Sequence, residues 1–417
     1  MLIKFTVGNY KVFKDQTTLD LRATAISEHA TSHVLDLGKD RLLKSTGIYG
    51  KNAAGKSKLI NALEFMKAFV IASSKDMQSN ELINTEPFRL NTATKNAPSF
   101  FEIEFLLNDR KYRYGFEVTL EMVKKEWLFE RKKTKEYPLF LRLEDEFDVD
   151  YKKFPEGKNK ESWTRKNALF LSLVAQLNGS LTQNIIQWFE KLIFVHHVCG
   201  CEESGFTELF LEDKEDRKLV VQMIKNADLN ISDLEIVRFE NAKTLKTGKK
   251  VESPDDNVLI KTYHPLYNEK NEQVGLEDFD MYNEESSGTI RYFDLIGFMI
   301  EAMRAGEILI MDEMDARLHT KLSQAILMEF NSENNTNAQF IFTTHNTNLL
   351  SSGLLRRDQI YFVEKDQYAA SKLYSLAEFK IRKDTNYELN YLKGRYGAIP
   401  FINHLFNGKK EKTQTKI

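Results

Sequence analysis

The chain is poor in cysteine and contains no long apolar run. Two cysteines among 417 residues cannot build a disulfide scaffold, and so few are typical of a protein in a reducing cytosol. No stretch approaches the roughly 18 consecutive apolar residues of a transmembrane helix. Residues 1–7 alternate like a strand and lack the apolar run of a signal peptide. We therefore expect a cytoplasmic protein without a membrane partner.

An excess of charge of one sign is also lacking. The chain has 59 basic and 61 acidic residues and a formal net charge of −2. Overall electrostatics therefore do not predict nucleic-acid binding, although a local basic patch could still provide it. We find no internal repeat and no sustained heptads, which argues against a long coiled-coil rod. The hydrophobic content of 42% is sufficient for a substantial core in two or three domains.

The most informative motif is the octapeptide 50–57. Its two glycines stand five apart and are followed directly by Lys-Ser, which is the pattern of a phosphate-binding loop. A strand-like stretch, 46–49, precedes it, and apolar residues at helical spacing follow over 58–71. Such a loop directs backbone N–H groups and the positive end of a helix dipole at a polyphosphate. We expect a bound nucleoside triphosphate to be held by Gly50, Lys51, Asn52, Ala53, Ala54, Gly55, Lys56 and Ser57.

Two residues of this loop have a predicted chemical role. We expect Lys56 to reach the β- and γ-phosphates, and the Ser57 hydroxyl to ligate Mg²⁺. The alternative is a chance glycine-rich turn. It is disfavoured because every constrained position is filled and the flanking strand and helix lie where the loop requires them.

Two apolar stretches further along the chain end in polar residues. The run 308–311 is typical of a strand in a parallel sheet covered on both faces, and Asp312 and Glu313 follow it. We expect Asp312 to hold Mg²⁺, and Glu313 to orient and deprotonate an attacking water. A second strand, 339–344, leads into His345, which could touch a γ-phosphate. For Asp312 and Glu313, the alternative is that the two acids merely reach solvent. For His345, the alternative is a histidine with a structural role only.

A short turn, 285–289, precedes a helical segment at 290–305. Ser286, Ser287 and Gly288 could form a second anion site at the helix N-terminus. In isolation, an ordinary helix cap explains the same residues.

In this order, the four motifs resemble those of the ABC-type ATPases of the SMC, RecF and OLD group. The resemblance identifies 285–289 as the signature motif, Asp312 and Glu313 as the Walker B pair, and His345 as the switch histidine.

Three further segments strengthen the resemblance. Residues 5–15 are similar to the opening strand and turn of that group. Residues 86–90 and 391–400 are similar to standalone bacterial phage-defence ATPases of the RloA and abortive-infection type.

The resemblance implies an ATPase that uses ATP and Mg²⁺, with Glu313, His345 and Lys56 as catalytic residues. It also implies a head-to-tail homodimer that shares two ATP molecules. In this dimer, the 286–288 turn of one chain caps the nucleotide bound to Lys56 and Ser57 of the other. The expected function is a switch in anti-phage defence that controls a separately encoded effector, such as a nuclease. The alternatives are a RecF-like repair ATPase that clamps duplex DNA, and a scaffold with very slow turnover, against which the intact Glu313 argues.

The chain departs from the wider family in two respects, and one activity of a relative is rejected. His319 stands where transporters have a D-loop aspartate. OLD-like proteins also tend to have histidine at this position. No glutamine can be assigned to the Q-loop. An intrinsic Toprim nuclease is rejected because no Asp-x-Asp follows Glu364 to complete a two-metal site.

The predicted fold class is α/β: an ABC-type P-loop NTPase core with an antiparallel β subdomain and a mainly helical lid insertion. Five segments follow from this frame: 1–85 and 281–407 as the two parts of the ATPase core, 86–150 as the β subdomain, 151–280 as the lid, and 408–417 as a disordered tail.

Two other clusters have simpler explanations. His196, His197, Cys199 and Cys201 are too closely spaced for a paired zinc knuckle, and we favour a buried strand or helix end. The tyrosines of 387–396 could form a partner surface, but packing of a helix on the sheet edge is the preferred interpretation.

Overall fold

The computed structural model of the protein describes residues 1–196, 205–239, 258–382 and 385–399. The strands in these residues are β1 Leu2–Gly8, β2 Thr17–Asp20, β3 Val34–Asp36, β4 Arg41–Leu43, β5 Ser45–Tyr49, β6 Ser99–Leu107, β7 Arg110–Val118, β8 Val123–Lys132, β9 Lys135–Leu143, β10 Glu146–Val149, β11 Leu192–Val195, β12 Asp233–Arg238, β13 Val258–Tyr267, β14 Gln273–Asp280, β15 Ile308–Met311, β16 Gln339–Thr343, β17 Ile360–Lys365 and β18 Ser371–Ser375. The α-helices are α1 Lys56–Ala72, α2 Phe170–Gln176, α3 Ser180–Glu190, α4 Phe206–Phe210, α5 Lys214–Asn226, α6 Ser287–Ala305, α7 Thr320–Phe330 and α8 Tyr387–Leu392.

The central sheet has the strand order β11-β15-β16-β5-β17-β18. Neighbouring strands are parallel except β18, which runs antiparallel to β17. Every residue of β5, β15 and β16 is buried, as expected for parallel strands covered on both faces. The strands predicted at 308–311 and 339–344 are therefore confirmed. Since the carboxyl ends of parallel strands share one edge, the segments after β5, β15 and β16 meet there.

A second, antiparallel sheet has the order β10-β9-β8-β7-β6-β1-β2. The alternating stretches of the sequence form β6 and β7, joined at Asn108 and Asp109, which have φ values of +49° and +60°. Two central turn residues with positive φ match the twist of an antiparallel hairpin. The N-terminal strands extend this sheet, because β1 pairs with β6 through Phe5 and Ile103.

Helix α1 packs between the two sheets. Its predicted apolar face is buried and belongs to one hydrophobic core with Ile310 and Ile341 of the central sheet and Phe101 and Phe116 of the antiparallel sheet. The ring of Phe69 on α1 lies 5.4 Å from that of Phe116, edge-on. Because α1 begins at the phosphate-binding loop, this packing fixes the loop relative to both sheets.

Strands as well as helices occupy the segment 151–280, which the sequence analysis describes as largely helical. Helices α2 to α5 lie there, but β11 joins the central sheet, and β12, β13 and β14 form a three-stranded antiparallel sheet. Strand β13 alternates buried and half-buried residues from Val258 to Tyr263, a period of two that favours a strand. Across the residues that the structure describes, no helix is long and apolar enough to cross a membrane.

Candidate functional site

The phosphate-binding loop connects β5 to α1 and has an unusual backbone. Gly50, Ala53 and Gly55 have φ values of +155°, +60° and +120°. A Cβ atom at Gly50 would clash with the carbonyl oxygen of Val363, and one at Gly55 would lie 2.9 Å from the Ser371 Oγ. Both glycines are therefore required by backbone conformation and by close neighbours on β17 and β18.

Contacts from the C-terminal part of the chain hold this loop, and sequence analysis missed them. The Ser371 hydroxyl donates to the Ala54 carbonyl (2.5 Å), and the Lys51 amide donates to the Ala398 carbonyl (3.0 Å). The Tyr391 hydroxyl donates to the same Ala398 oxygen (3.0 Å). In the sequence, these contacts were indicated only by the segment 391–400, which is similar to the phage-defence ATPases but was given no role.

Lys56 is the most buried charged group of the loop, with only 5% of the residue exposed. Its Nζ donates to the Gly50 carbonyl (3.0 Å) and to the Nε2 of His345 (2.9 Å). Burial lowers the pKa of Lys56 from 10.5 to about 8, although the carboxylates of Asp312 and Glu313 oppose this shift. The loop thus holds a cation that lacks full solvation and is prepared to bind an anion.

The acidic pair follows β15 and is positioned by the neighbouring strand β16. The Thr343 hydroxyl donates to Asp312 Oδ1 (2.5 Å) and accepts from the Glu313 amide (2.8 Å). Glu313 has a φ value of +52°, a left-handed conformation that is uncommon outside glycine and often occurs at functional sites. Sequence analysis did not assign a role to Thr343, which fixes both acids.

His345 follows β16 and lies against the phosphate-binding loop. Burial, and secondarily the charge of Lys56, lowers the pKa of His345. The neutral ring accepts from Lys56 at Nε2, which places its proton on Nδ1. Asp315 supports the segment by accepting from the Thr344 hydroxyl (2.5 Å) and the His345 amide (3.4 Å).

The turn before α6 lies at the surface. Ser286 is the N-cap, and its Oγ accepts from the Thr289 amide (3.1 Å), so the cap predicted there is present. Ser286 and Ser287 are exposed. A Cβ atom at Gly288 would lie 2.9 Å from the Arg317 carbonyl, so the turn packs on the segment that follows Glu313. 

The residues after Glu313 lead into α7. His319 caps this helix, and its Nδ1 accepts from the Lys321 amide (3.2 Å). In this conformation of the chain, the residue at the D-loop position therefore serves as a helix cap.

The histidine–cysteine cluster falls partly outside the described residues, which omit His197, Cys199 and Cys201. His196 directly follows β11, and its Nε2 lies 3.0 Å from Glu64 Oε1 on α1. Within the described ranges, no group of three or more His, Cys, Asp or Glu side chains is arranged to hold a metal ion. 

The C-terminal tyrosines pack on the central sheet, as predicted, but against its inner strand β17 and not at the edge strand β18 alone. Tyr387, Tyr391 and Tyr396 are all buried. The rings of Tyr391 and Tyr396 stack on Phe362 of β17, at 5.3 and 5.7 Å. These tyrosines therefore attach the C-terminal segment to the central sheet, beside the phosphate-binding loop.

The residues present fit a magnesium–nucleoside triphosphate. The loop offers backbone N–H groups at a helix start and a buried lysine, and a cavity of about 500 Å³ lies beside it, between His345 and Tyr391. The Ser57 hydroxyl and the Asp312 carboxylate are oxygen donors of the kind that Mg²⁺ prefers. No dedicated all-protein cage is needed, because Mg²⁺ is usually bound by one or two protein oxygens together with phosphates and water.

The strand order, the loop between β5 and α1, and the acids after β15 define an ABC-type P-loop ATPase fold. A family model described as "AAA domain, putative AbiEii toxin, Type IV TA system" matches residues 45–194 and 223–351, more than half of the chain. The chain belongs to this family, and it resembles the abortive-infection ATPases.

Solved structures with similarity to the chain include several SMC heads. The SMC head domain from Thermotoga maritima is 15% identical, with 90% of this chain and 98% of that chain covered and a TM-score of 0.41. A Smc head domain with an extended coiled coil, bound to the C-terminal domain of ScpA derived from Pyrococcus furiosus, is 11% identical, with 90% and 96% covered and a TM-score of 0.40. Among curated proteins, none matches the chain.

Proposed function

We propose that the protein is an ATP-hydrolysing switch of a bacterial anti-phage defence system, acting in the cytoplasm on a separate effector. The observation that carries the ATP-hydrolysing part of the proposal is the position of Lys56, and the match to the AbiEii-type family model supports the defence role. Lys56 is buried in the phosphate-binding loop, bonded to His345 and within electrostatic reach of Asp312 and Glu313. Three separate segments thus contribute to one edge of the sheet: Lys56 from the loop, the adjacent acids Asp312 and Glu313, and His345.

The residues have distinct roles in the proposed reaction. On nucleotide binding, Lys56 exchanges the Gly50 carbonyl and His345 for the phosphates. Ser57 and Asp312 hold Mg²⁺, which neutralises phosphate charge when bound. Glu313 orients a water and accepts its proton; its left-handed backbone conformation is of the kind that often occurs at functional sites. 

With Lys56 drawn to the phosphates, the Nδ1–H of His345 can donate a hydrogen bond to a γ-phosphate oxygen, without transfer of the proton. The lowered pKa of His345 keeps the ring neutral in the free protein, so that one nitrogen donates and the other accepts.

We further propose that the active form is a head-to-tail homodimer. Helix α6 has 19 residues, and the exposed serines at its start present backbone N–H groups and a positive dipole end to an anion. The turn packs against its own chain at Arg317 and presents its exposed face outward, where a nucleotide held by a second copy can reach it. Triphosphate binding would then close the dimer, and hydrolysis would open it.

The decisive experiment uses Glu313→Gln with Mg²⁺ and ATP. We expect phosphate release to fall by at least about 100-fold, because the base is lost while nucleotide binding remains. Light scattering coupled to size exclusion should show a dimer that forms only with ATP. The matched control is Glu313→Gln combined with Ser287→Arg, which blocks the α6 N-terminus and should remain monomeric.

Two outcomes would contradict the proposal at different points. A Glu313→Gln protein that stays monomeric at saturating ATP refutes the shared site. A wild-type protein that binds ATP but releases no phosphate refutes the hydrolytic switch. ATP-dependent, salt-sensitive binding of duplex DNA would instead indicate a DNA clamp.

A further inference from the structure

Glu285, the residue before the proposed nucleotide-capping turn at 286–288, is held by strand β13. Its side chain is only 8% exposed. Glu285 Oε1 accepts from the His264 Nε2 (2.7 Å) and from the Thr262 hydroxyl (2.5 Å). An ionised carboxylate can only accept, so the Nε2 of His264 carries a proton. Two donors of one strand thus fix the end of this side chain.

The packing of β13 places both donors. Thr262 and His264 are two apart on this strand and therefore share a face of the sheet β12-β13-β14. Thr262 is fully buried, and the His264 ring lies 4.7 Å from the ring of Phe279 on β14. The Glu285 carboxylate is therefore bonded to side chains that the three-stranded sheet itself holds.

The connection from β14 to the turn is short and internally bonded. Strand β14 ends at Asp280, whose Oδ1 accepts from the amides of Tyr282 and Asn283 (2.9 and 3.2 Å). The Met281 amide donates to the Ile260 carbonyl of β13 (2.9 Å). The three-stranded sheet therefore holds this connection twice, at its start through the Met281 amide and at its end through the carboxylate described above.

Glu285 stands at the position that sets how the chain enters α6. It precedes the N-cap Ser286, where helices often have an apolar residue that packs on the fourth helical residue, here Ile290. A carboxylate held on β13 takes the place of that apolar contact. The direction in which the chain enters the helix, and with it the orientation of the first helical amides, therefore depends on hydrogen bonds to another element of the fold.

We propose that Glu285 is a positioning residue of the nucleotide-capping turn, held in place by His264 and Thr262. The inference rests on the proposed function, in which the exposed turn at 286–288 presents backbone N–H groups to a nucleotide on a second copy. Such a site needs its donors within about 0.5 Å of the productive geometry. Glu285 acts through the turn and not on the nucleotide, because its carboxylate is directed to β13. The three-stranded sheet thus becomes part of the ATP-binding machinery.

Hydrogen exchange of the nucleotide-free protein tests the positioning directly. His264→Phe keeps an aromatic ring beside Phe279 but removes the donor to the carboxylate. The amides of Thr289 and Ile290 donate to Ser286, and we expect their exchange to quicken by about tenfold, the factor for loss of one hydrogen bond to a charged group. His264→Gln, whose side-chain amide can replace the Nε2–H, should restore most of the protection. Exchange in β16 is the reference and should not change.

A second measurement separates positioning from nucleotide binding. In the Glu313→Gln chain, adding His264→Phe should weaken ATP-dependent dimerisation by about tenfold. The dissociation constant of ATP for dilute, monomeric protein should stay within about twofold, because the loop around Lys56 is distant and unchanged. Thr262→Val removes the other donor and should act in the same direction, whereas the matched control Thr262→Ser keeps the hydroxyl and should behave like the unsubstituted chain.

Unchanged exchange at Thr289 and Ile290 in His264→Phe overturns the positioning role. Equal loss of protection in His264→Phe and His264→Gln also overturns it, since the donor would then not matter. Faster exchange with unchanged dimerisation would show a support of α6 without a part in capping, which is a third contrary result. Failure of the Glu313→Gln chain itself to form a dimer counts instead against the proposed function, and the exchange measurement then still decides whether Glu285 fixes the turn.

Discussion

Replacing Lys56 by methionine should raise the stability of the nucleotide-free protein while removing its response to nucleotide. The Nζ of Lys56 is almost fully buried and has one carbonyl and one neutral imidazole as close partners. Methionine has a similar length and flexibility and no charge to desolvate. The folded, nucleotide-free protein therefore loses an unfavourable buried charge.

The magnitude follows from the lowered pKa of Lys56, from 10.5 to about 8. A difference of about 2.5 pH units corresponds to about 3 kcal/mol, at roughly 1.4 kcal/mol per unit. The Nζ hydrogen bonds that methionine cannot make reduce the expected gain to about 2 kcal/mol. 

The pH dependence has a definite sign. Between pH 8 and 10.5 the unfolded chain binds more protons at this lysine than the folded chain, so the free energy of unfolding of the wild type rises with pH. Below pH 8 the full cost is present. The advantage of Lys56→Met should therefore be largest at pH 7 and should shrink as the pH rises to 10.5.

Calorimetric melting of both proteins at pH 7, 8, 9 and 10, without nucleotide, measures this difference. Lys58→Met, two residues along on an exposed position of the same helix, is the control and should change little. Saturating Mg-ATP at about 100 times its dissociation constant should stabilise the wild type by about 2.7 kcal/mol and Lys56→Met far less. A Lys56→Met protein that melts below the wild type at pH 7, or a stability difference independent of pH, would refute the reasoning.

Two further predictions concern a support of the phosphate-binding loop and a buried ion pair of the antiparallel sheet. Tyr391→Phe removes the hydroxyl that donates to the Ala398 carbonyl, which also accepts from the Lys51 amide. We expect a loss of about 1 kcal/mol in stability and faster hydrogen exchange at the Lys51 amide. Unchanged exchange would show that the C-terminal segment does not restrain the loop. Arg142→Met leaves the buried Glu126 without its cation, and should lower the free energy of unfolding, measured by chemical denaturation, by about 3–5 kcal/mol. The double variant with Glu126→Leu should recover part of this loss. Additive losses would argue against a coupled pair.

The elements of the candidate nucleotide site are formed by residues that are contiguous in the chain. A phosphate-binding loop needs glycines where its backbone turns, and a buried parallel strand needs an uninterrupted apolar run, so both leave a local pattern. The loop at 50–57, the acids after β15 and the histidine after β16 were recognisable for this reason. That all three belong to one site followed only from the shared edge of a parallel sheet.

Other features depend on contacts between distant segments and leave no local pattern. The Ser371 hydroxyl reaches the Ala54 carbonyl across 317 positions of the chain, and nothing near Ser371 indicates that partner. Strand β14 illustrates the same limit. The sequence analysis placed its residues within a mainly helical insertion, and only the pairing with β13 shows that they form a strand.

The sequence alone therefore predicted a phosphate-binding loop, a candidate metal-binding acid and a candidate base, since each is specified by the conformational and chemical demands of a few adjacent residues. Only the tertiary structure decided which groups support them: Thr343 between the acids, Ser371 and Ala398 behind the loop, and Arg317 against Gly288. These contacts arise from strand order and helix packing, which bring remote backbone groups within hydrogen-bonding distance.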